Sequence, residues 1–176
     1  MVVFLSFIFM LTFLPLAASV NILKNLEAEQ IDYDTKKIRL SGKVYIEHHF
    51  GEIRCEKGVL LFEDEQSSKM SPSRILLHGD VEIILQDGSI ITSDEADIDC
   101  KALEGVFVAV APKKVGYITR VVEENRSVPV KATSRALRVT MKKAAGNKSE
   151  YVLADIQGEG AVSIEYQNPQ NEEMKP

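Results

Sequence analysis

Tryptophan is absent from the 176 residues, and cysteine occurs only twice, as Cys55 and Cys100. No Cys-x-x-Cys pair occurs, which excludes a zinc knuckle and a dithiol redox centre. In an oxidising compartment the two cysteines could form one disulfide. Two independent buried thiols are an equal alternative.

Signatures of catalysis are also missing. The sequence contains no Ser/His/Asp order, no glycine-rich phosphate loop and no His-Glu-x-x-His motif, so we expect neither an enzyme nor a cofactor. The sequence also lacks an excess of positive charge, since 21 Lys and Arg stand against 26 Asp and Glu. This acidic balance disfavours nucleic acid as a partner, because phosphate neutralisation needs clustered cations.

Charged residues are absent from the first 23 positions, where Val2 to Leu16 is almost wholly apolar. Pro15 and the small residues Ala17 to Ser19 are typical of a cleaved signal peptide, which we predict over residues 1–19. An uncleaved anchor is the alternative, because the run is just long enough to span a bilayer. No second run approaches that length, which excludes a polytopic membrane protein. We predict one exported domain over 20–167 and a disordered polar tail over 168–176.

An internal repeat is the most informative feature that is present. Ile38-Arg-Leu-Ser-Gly-Lys-Val-Tyr-Ile46 matches Ile75-Leu-Leu-His-Gly-Asp-Val-Glu-Ile83, 37 residues later. A third copy, Ile156-Gln-Gly-Glu-Gly-Ala-Val-Ser-Ile164, keeps the central glycine and the apolar positions. Apolar residues alternate within each copy, as in a strand with one buried face. A glycine in such a strand predicts a bend or bulge, and a bend in every repeat would curl the sheet over itself.

A second motif, a small residue followed by polar and then alternating apolar residues, stands between these copies. Since its period is also two, and no stretch after the leader has a convincing helical period, we predict an all-β fold of short strands joined by turns. The copies of this motif begin at Ala28, Cys55, Ser93 and Ser134.

The ordered recurrence of these two motifs over Leu26 to Tyr166 resembles the OstA-like family, specifically the periplasmic lipopolysaccharide-transport proteins LptA and LptC. The resemblance implies an incomplete, V-shaped antiparallel β-jellyroll whose apolar interior binds the acyl chains of lipopolysaccharide or lipid A. It implies that the protein is periplasmic and carries lipopolysaccharide from the inner to the outer membrane. Its partners would be LptC-like and LptD-like proteins, or further copies head to tail, joined edge to edge by strand addition. The strand count over 113–134 stays open.

Slim aliphatic residues dominate the predicted inner face, which suits acyl chains. From the residues alone a closed core is favoured over a groove, and the resemblance reverses that preference. The residues predicted to line the groove are Ile38, Leu40, Val44, Ile46, Ile53, Leu77, Val81, Ile83, Ile90, Val106, Val108, Leu137, Val139, Val162 and Ile164. A membrane-anchored LptC-like component and a secreted structural β-solenoid without ligand are the alternatives.

Other polar clusters have ordinary explanations. We interpret the adjacent His48 and His49 as solvated turn residues rather than metal ligands, since neighbouring strand residues point to opposite faces. The acidic run from Asp94 to Asp99 fits the wet face of a strand better than a calcium loop. The pairs Lys113-Lys114 and Lys142-Lys143 could contact lipid phosphates at the mouth of the groove, but ordinary surface lysines are the favoured interpretation.

Overall fold

The computed structural model describes residues 23–63, 71–123, 126–143 and 151–166. The predicted signal peptide and tail lie outside these ranges. Strands hold 77% of the described residues, which contain no helix, and therefore none that could cross a membrane. The predicted all-β, open antiparallel fold is confirmed. The strands are β1 (Leu23–Glu27), β2 (Gln30–Asp34), β3 (Lys37–His48), β4 (Gly51–Leu61), β5 (Arg74–Leu85), β6 (Ile90–Asp99), β7 (Glu104–Val108), β8 (Val115–Glu123), β9 (Arg126–Ser134), β10 (Ala136–Lys143), β11 (Tyr151–Glu159) and β12 (Ser163–Tyr166).

A single antiparallel sheet bends into two halves, here called leaves. Each of the long strands β3 to β6 contributes one half of its length to each leaf. The first leaf has the order β1, the second half of β3, the first half of β4, the second half of β5, the first half of β6, β8, β9 and β12. The second leaf has the order β2, the other halves of β3 to β6, then β7, β10 and β11. The hairpin of β8 and β9 settles the strand count left open over 113–134.

The bend between the leaves lies at the glycine of each repeat. Gly42 and Gly79 have φ angles of 74° and 79°, and the residues after them, Lys43 and Asp80, are also left-handed at 46° and 42°. The pairing registers of β3 with β4 and of β5 with β6 shift at these residues, which defines bulges that bend the strands. The predicted bend per repeat is confirmed at both sites.

The third repeat glycine, Gly160, has a φ angle of 88° but lies between two strands. The chain there leaves β11 of the second leaf and enters β12 of the first. The same backbone conformation therefore bends a strand in two repeats and connects two strands in the third.

The second motif also has its place at the bend. Its small residue is enclosed on the inner side: Cys55, Ser93 and Ser134 are buried, and Ala28 packs against the core. In three of the four copies the polar residue that follows lies over the repeat glycine of a neighbouring segment. These contacts pair Glu29 with Gly42, Glu56 with Gly79 and Arg135 with Gly160. The first residue of the motif is small because its side chain points inward at the crowded bend. The next residue is polar because its side chain covers the outside of the bend.

Rows of side chains cross the inner face of each leaf, following the strand registers. The central row of the first leaf is Leu26, Ile46, Ile53, Ile83, Ile91, Tyr117, Ala132 and Ile164. The row of the second leaf next to the bend is Ile31, Leu40, Gly58, Leu77, Ala96, Phe107, Leu137 and Gly158. The two leaves pack these faces together into a single hydrophobic core.

Cys55 and Cys100 are both buried as thiols and are not joined in a disulfide. Cys55 lies at the bend, whereas Cys100 follows the outer end of β6. Burial raises the pKa of the Cys55 thiol to about 11 and that of the Cys100 thiol to about 12. Neither thiol is therefore a reactive thiolate near neutral pH. Of the two alternatives, a disulfide or two independent buried thiols, the structure has the buried thiols.

Candidate functional site

The fifteen residues predicted to line a groove fall into three groups. Eleven lie on the inner faces of strands: Val44, Ile46, Ile53, Val81, Ile83 and Ile164 in the first leaf, and Ile38, Leu40, Leu77, Leu137 and Val139 in the second. Val162 lies in the connection between β11 and β12. Ile90, Val106 and Val108 lie on the outer face, because the residues next to them along the strand, Ile91 and Phe107, point inward.

The interior is filled in the middle of the molecule. Ile46, Ile53 and Ile83 are each at most 1% exposed. The remaining gap between the leaves is only about 10 Å³ where Phe50 and Ile91 of the first leaf meet Phe107 and Met141 of the second. Space of that size holds no more than one water molecule, so no cargo enters here in this conformation.

Phe107 does much of this filling. Its ring covers Gly105, where a Cβ would lie 2.9 Å from the ring atom Cε2. Glycine at 105 therefore makes room for a large aromatic side chain that lies flat along the inner face. The inner face is dominated by slim aliphatic side chains, and this one aromatic ring fills the space that they leave between the leaves.

The leaves separate at the other end of the sheet and leave an apolar pocket of about 260 Å³, open on one side. The small residues Ala132 and Gly158 lie in the inner rows of opposite leaves and both line the pocket. The Val162 side chain covers Gly158, where a Cβ would lie 2.8 Å from Val162 Cγ2, so the small side chain of Ala132 is the one that leaves space between the leaves. Its lining consists of Tyr117, Val130, Ala132, Thr133, Ser134, Leu137, Ile156, Gly158, Val162 and Ile164.

Three of the predicted lining residues, Leu137, Val162 and Ile164, border this pocket. Alternation along β8, β9 and β11 could have added Tyr117, Val130 and Ile156. Ala132 and Gly158 could not have been found in this way, because they shape the pocket by being small and therefore add nothing to a hydrophobic pattern.

The pocket wall has no charged side chain among the described residues that line it. Two of its hydroxyl groups are engaged by the protein itself. Tyr117 donates to Ser89 Oγ at 3.4 Å, and Ser89 donates to Thr119 Oγ1 at 2.9 Å. Ser134 donates to the carbonyl of Ala136 at 2.7 Å. Apart from Thr133, the surface left for a ligand is apolar, as an alkyl chain requires.

His48 corrects the interpretation of solvated turn histidines. β3 continues through His48 in the same alternation as Val44 and Ile46, so the imidazole points inward and is 1% exposed. Burial, with smaller contributions from His49 and Lys24, lowers its pKa to about 3. His49 is partly exposed and His78 is exposed. No group of three or more potential ligands in the described ranges could hold a metal ion.

The other polar candidates have structural partners. Asp94 accepts hydrogen bonds from the Val110 amide at 2.7 Å and from Lys113 Nζ at 2.8 Å, and Lys113 also pairs with Asp80 at 3.2 Å. Asp99 accepts bonds from the amides of Lys101 and Ala102, each at 2.8 Å. These interactions hold two connections in place, and they occupy Lys113, one of the lysines considered for contact with lipid phosphates.

An open two-leaf antiparallel jellyroll with an apolar pocket between the leaves is the architecture these observations define. No family model matches the sequence, and a search of curated proteins finds no match. Among solved structures, the chain is similar to LptH from Pseudomonas aeruginosa, described as the LptA homologous periplasmic component of the conserved lipopolysaccharide transport device. The two share 7% identity with a TM-score of 0.53, over 82% of this chain and 94% of LptH. The fold expected from the OstA-like resemblance is confirmed.

Proposed function

We propose that this protein is a non-catalytic, periplasmic lipid-binding protein that carries lipopolysaccharide from the inner to the outer membrane within an Lpt-type bridge. The apolar, uncharged pocket between the leaves carries the proposal, because acyl chains are the cargo that such a wall can bind. Burial of each methylene contributes about 0.8 kcal/mol. The fold shared with LptH and the motifs of the OstA-like family support a place in such a bridge, whereas the direction of transport would be set by the partners.

The partners follow from the two ends of the sheet. In the described part of the chain, β2 pairs only with β3, and β12 pairs only with β9, so each end offers an open strand edge for strand addition. Apolar residues of the inner face are exposed at both ends, including Ile31 and Tyr33 at 51% and 71% and Ile164 and Tyr166 at 60% and 65%. LptC-like and LptD-like proteins, or further copies head to tail, would cover them.

Lipid retention by the purified protein tests the proposal. We expect mass spectrometry of protein isolated from the periplasm without detergent to find bound acyl lipid. Ile164→Asp should remove the lipid, because it places a charge in the pocket wall. Ile164 is exposed and belongs to the last strand, so the variant should still fold. Val106→Asp, on the outer face of β7, is the control and should retain lipid. Equal retention by both variants would contradict the pocket assignment, and lipid-free wild-type protein would contradict the carrier.

A structural scaffold without ligand is the second candidate, and the filled middle of the molecule favours it. A scaffold would retain no lipid, and the wild type and Ile164→Asp would both be lipid-free. The same experiment therefore separates the two functions. The anchored, LptC-like role differs from the soluble carrier in its leader, and the N-terminal residue of the mature protein distinguishes them.

A further inference from the structure

The pocket is closed on the side that faces the middle of the molecule. Tyr117 and Leu137 form that wall and are only 8% and 4% exposed. Behind them, Ile91 pairs with Tyr117 and Phe107 pairs with Leu137, and both belong to the filled region. A chain that enters at the end of the sheet therefore meets a wall and cannot continue along the interior.

The free volume limits how much of a chain can enter. A cavity of about 150 Å³ holds benzene, which has six carbon atoms. By that scale the pocket of about 260 Å³ holds about ten carbon atoms. One alkyl chain of this length fills it, and a second chain has no room.

The chemistry of the wall selects the occupant. The part of this chain that follows β12 reads Gln-Asn-Pro-Gln-Asn-Glu-Glu-Met-Lys-Pro, and this polar sequence is unsuited to an uncharged aliphatic pocket. An alkyl chain matches the lining in charge and polarity, because it needs no hydrogen bonds and carries no charge to desolvate.

We infer that the pocket binds a single alkyl chain and buries at most about ten of its carbon atoms, a limit set by the wall of Tyr117 and Leu137. The inference rests on the proposed function and adds to it a stoichiometry and a length cut-off. The remaining chains of a multiply acylated lipid stay outside the isolated protein.

A homologous series of saturated fatty acids from six to fourteen carbons tests this, with affinity and stoichiometry measured by isothermal titration calorimetry below their micelle concentrations. We expect one site per protein and an affinity that rises about fourfold per methylene, as burial of each group predicts. The rise should end near ten carbons and the affinity should then stay level. A rise that continues unchanged to fourteen carbons, or two chains per protein, would overturn the length limit.

Ala132→Leu makes the test specific to the pocket. The three added side-chain carbons take up pocket volume next to Ala132, so the plateau should move to chains about three carbons shorter. Ala136→Leu is the matched control, because Ala136 precedes the inward-facing Leu137 on β10 and points to the outer face. An unmoved plateau in Ala132→Leu would overturn the inference even if binding persists, whereas the absence of binding by every fatty acid would refute the carrier function itself.

Discussion

At the scale of single residues, His48 is the most unusual group in the core. Neither of its ring nitrogens has a hydrogen-bond partner within the described residues, and its ring packs against Phe50 with centroids 4.3 Å apart. A buried polar group without a partner costs about 1–3 kcal/mol. The neutral imidazole is tolerated, whereas the imidazolium would be a buried charge.

His48 should make the protein less stable as the pH falls. Its pKa is about 3 in the folded protein and about 6.5 in the unfolded chain, so the unfolded state binds the proton more readily between these values. Stability is therefore fully present above pH 6.5 and is lost below it, by about 2 kcal/mol between pH 7.5 and pH 5. Urea unfolding of the wild type and of His48→Leu at both pH values measures this.

His48→Leu should be at least as stable as the wild type at pH 7.5 and should lose most of the pH dependence. His49→Gln is the control, since His49 is partly exposed and should account for only a small part of the slope. Parallel pH profiles for wild type and His48→Leu would show that other groups cause the acid sensitivity. Asp34, Asp94 and Asp99 do not compete in this range, because their pKa values lie below the usual one.

Residue-level prediction from the sequence succeeded where strand alternation carries the signal. Ile46, Ile53 and Ile83 lie on the inner face, as their alternation with polar residues predicts. The prediction for His48 is wrong because the nearby Gly51 indicates a turn that includes the histidine, whereas β3 runs through His48 and the turn follows it. Phe107 is a different case. The position of its ring decides whether the middle of the interior is filled, and strand alternation does not predict where a ring lies on the inner face.

At the scale of the strands, the bend is formed where a glycine with positive φ meets the polar residue of the neighbouring segment. This arrangement explains why the sequence repeats so clearly: each long strand must turn from one leaf to the other at the same level. The strand repeat was predictable from its spacing. The division of β7 to β12 between the leaves was not, because each of these strands belongs to one leaf only and none has a repeat glycine that marks a crossing from one leaf to the other.

Gly79→Ala should destabilise the protein more than Gly88→Ala. Both glycines have positive φ, 79° and 81°, so both variants incur the cost of about 1–2 kcal/mol for a left-handed residue with a Cβ. At Gly88 nothing lies within 4 Å of the added Cβ, whereas at Gly79 it would collide with the side chain of Glu56. We expect a loss of about 1–2 kcal/mol for Gly88→Ala and about 3 kcal/mol for Gly79→Ala.

Thermal or urea denaturation measures the difference, and Gly88→Ala serves as the control for backbone strain alone. The double variant Gly79→Ala with Glu56→Ala should recover the excess loss, since it removes the side chain that collides. Equal losses in the two single variants would mean that Glu56 moves aside freely and that its cover of the bend contributes nothing to the fold.

At the scale of the whole molecule, the pocket and the open sheet edge are built from the same residues. Val162 and Ile164 line the pocket and are also 51% and 60% exposed, since Ile164 belongs to the last strand of the first leaf. A second copy that docks its β1 and β2 edge here would bring Ile31 and Tyr33 over the open side of the pocket. Docking would remove water from the bound chain, and binding would add apolar surface to the docking edge.

Lipid binding and head-to-tail assembly should therefore strengthen each other, and this linkage must be reciprocal. We expect saturating decanoate to tighten self-association by about fivefold or more, measured by sedimentation equilibrium with and without the ligand. Tyr33→Asp should weaken assembly and abolish the effect of decanoate. It should leave decanoate binding by the monomer unchanged, because Tyr33 lies at the opposite end of the sheet from the pocket. Dissociation of the assembly by decanoate would mean instead that the chain and the partner compete for Val162 and Ile164, so that cargo must leave the pocket before the next copy docks.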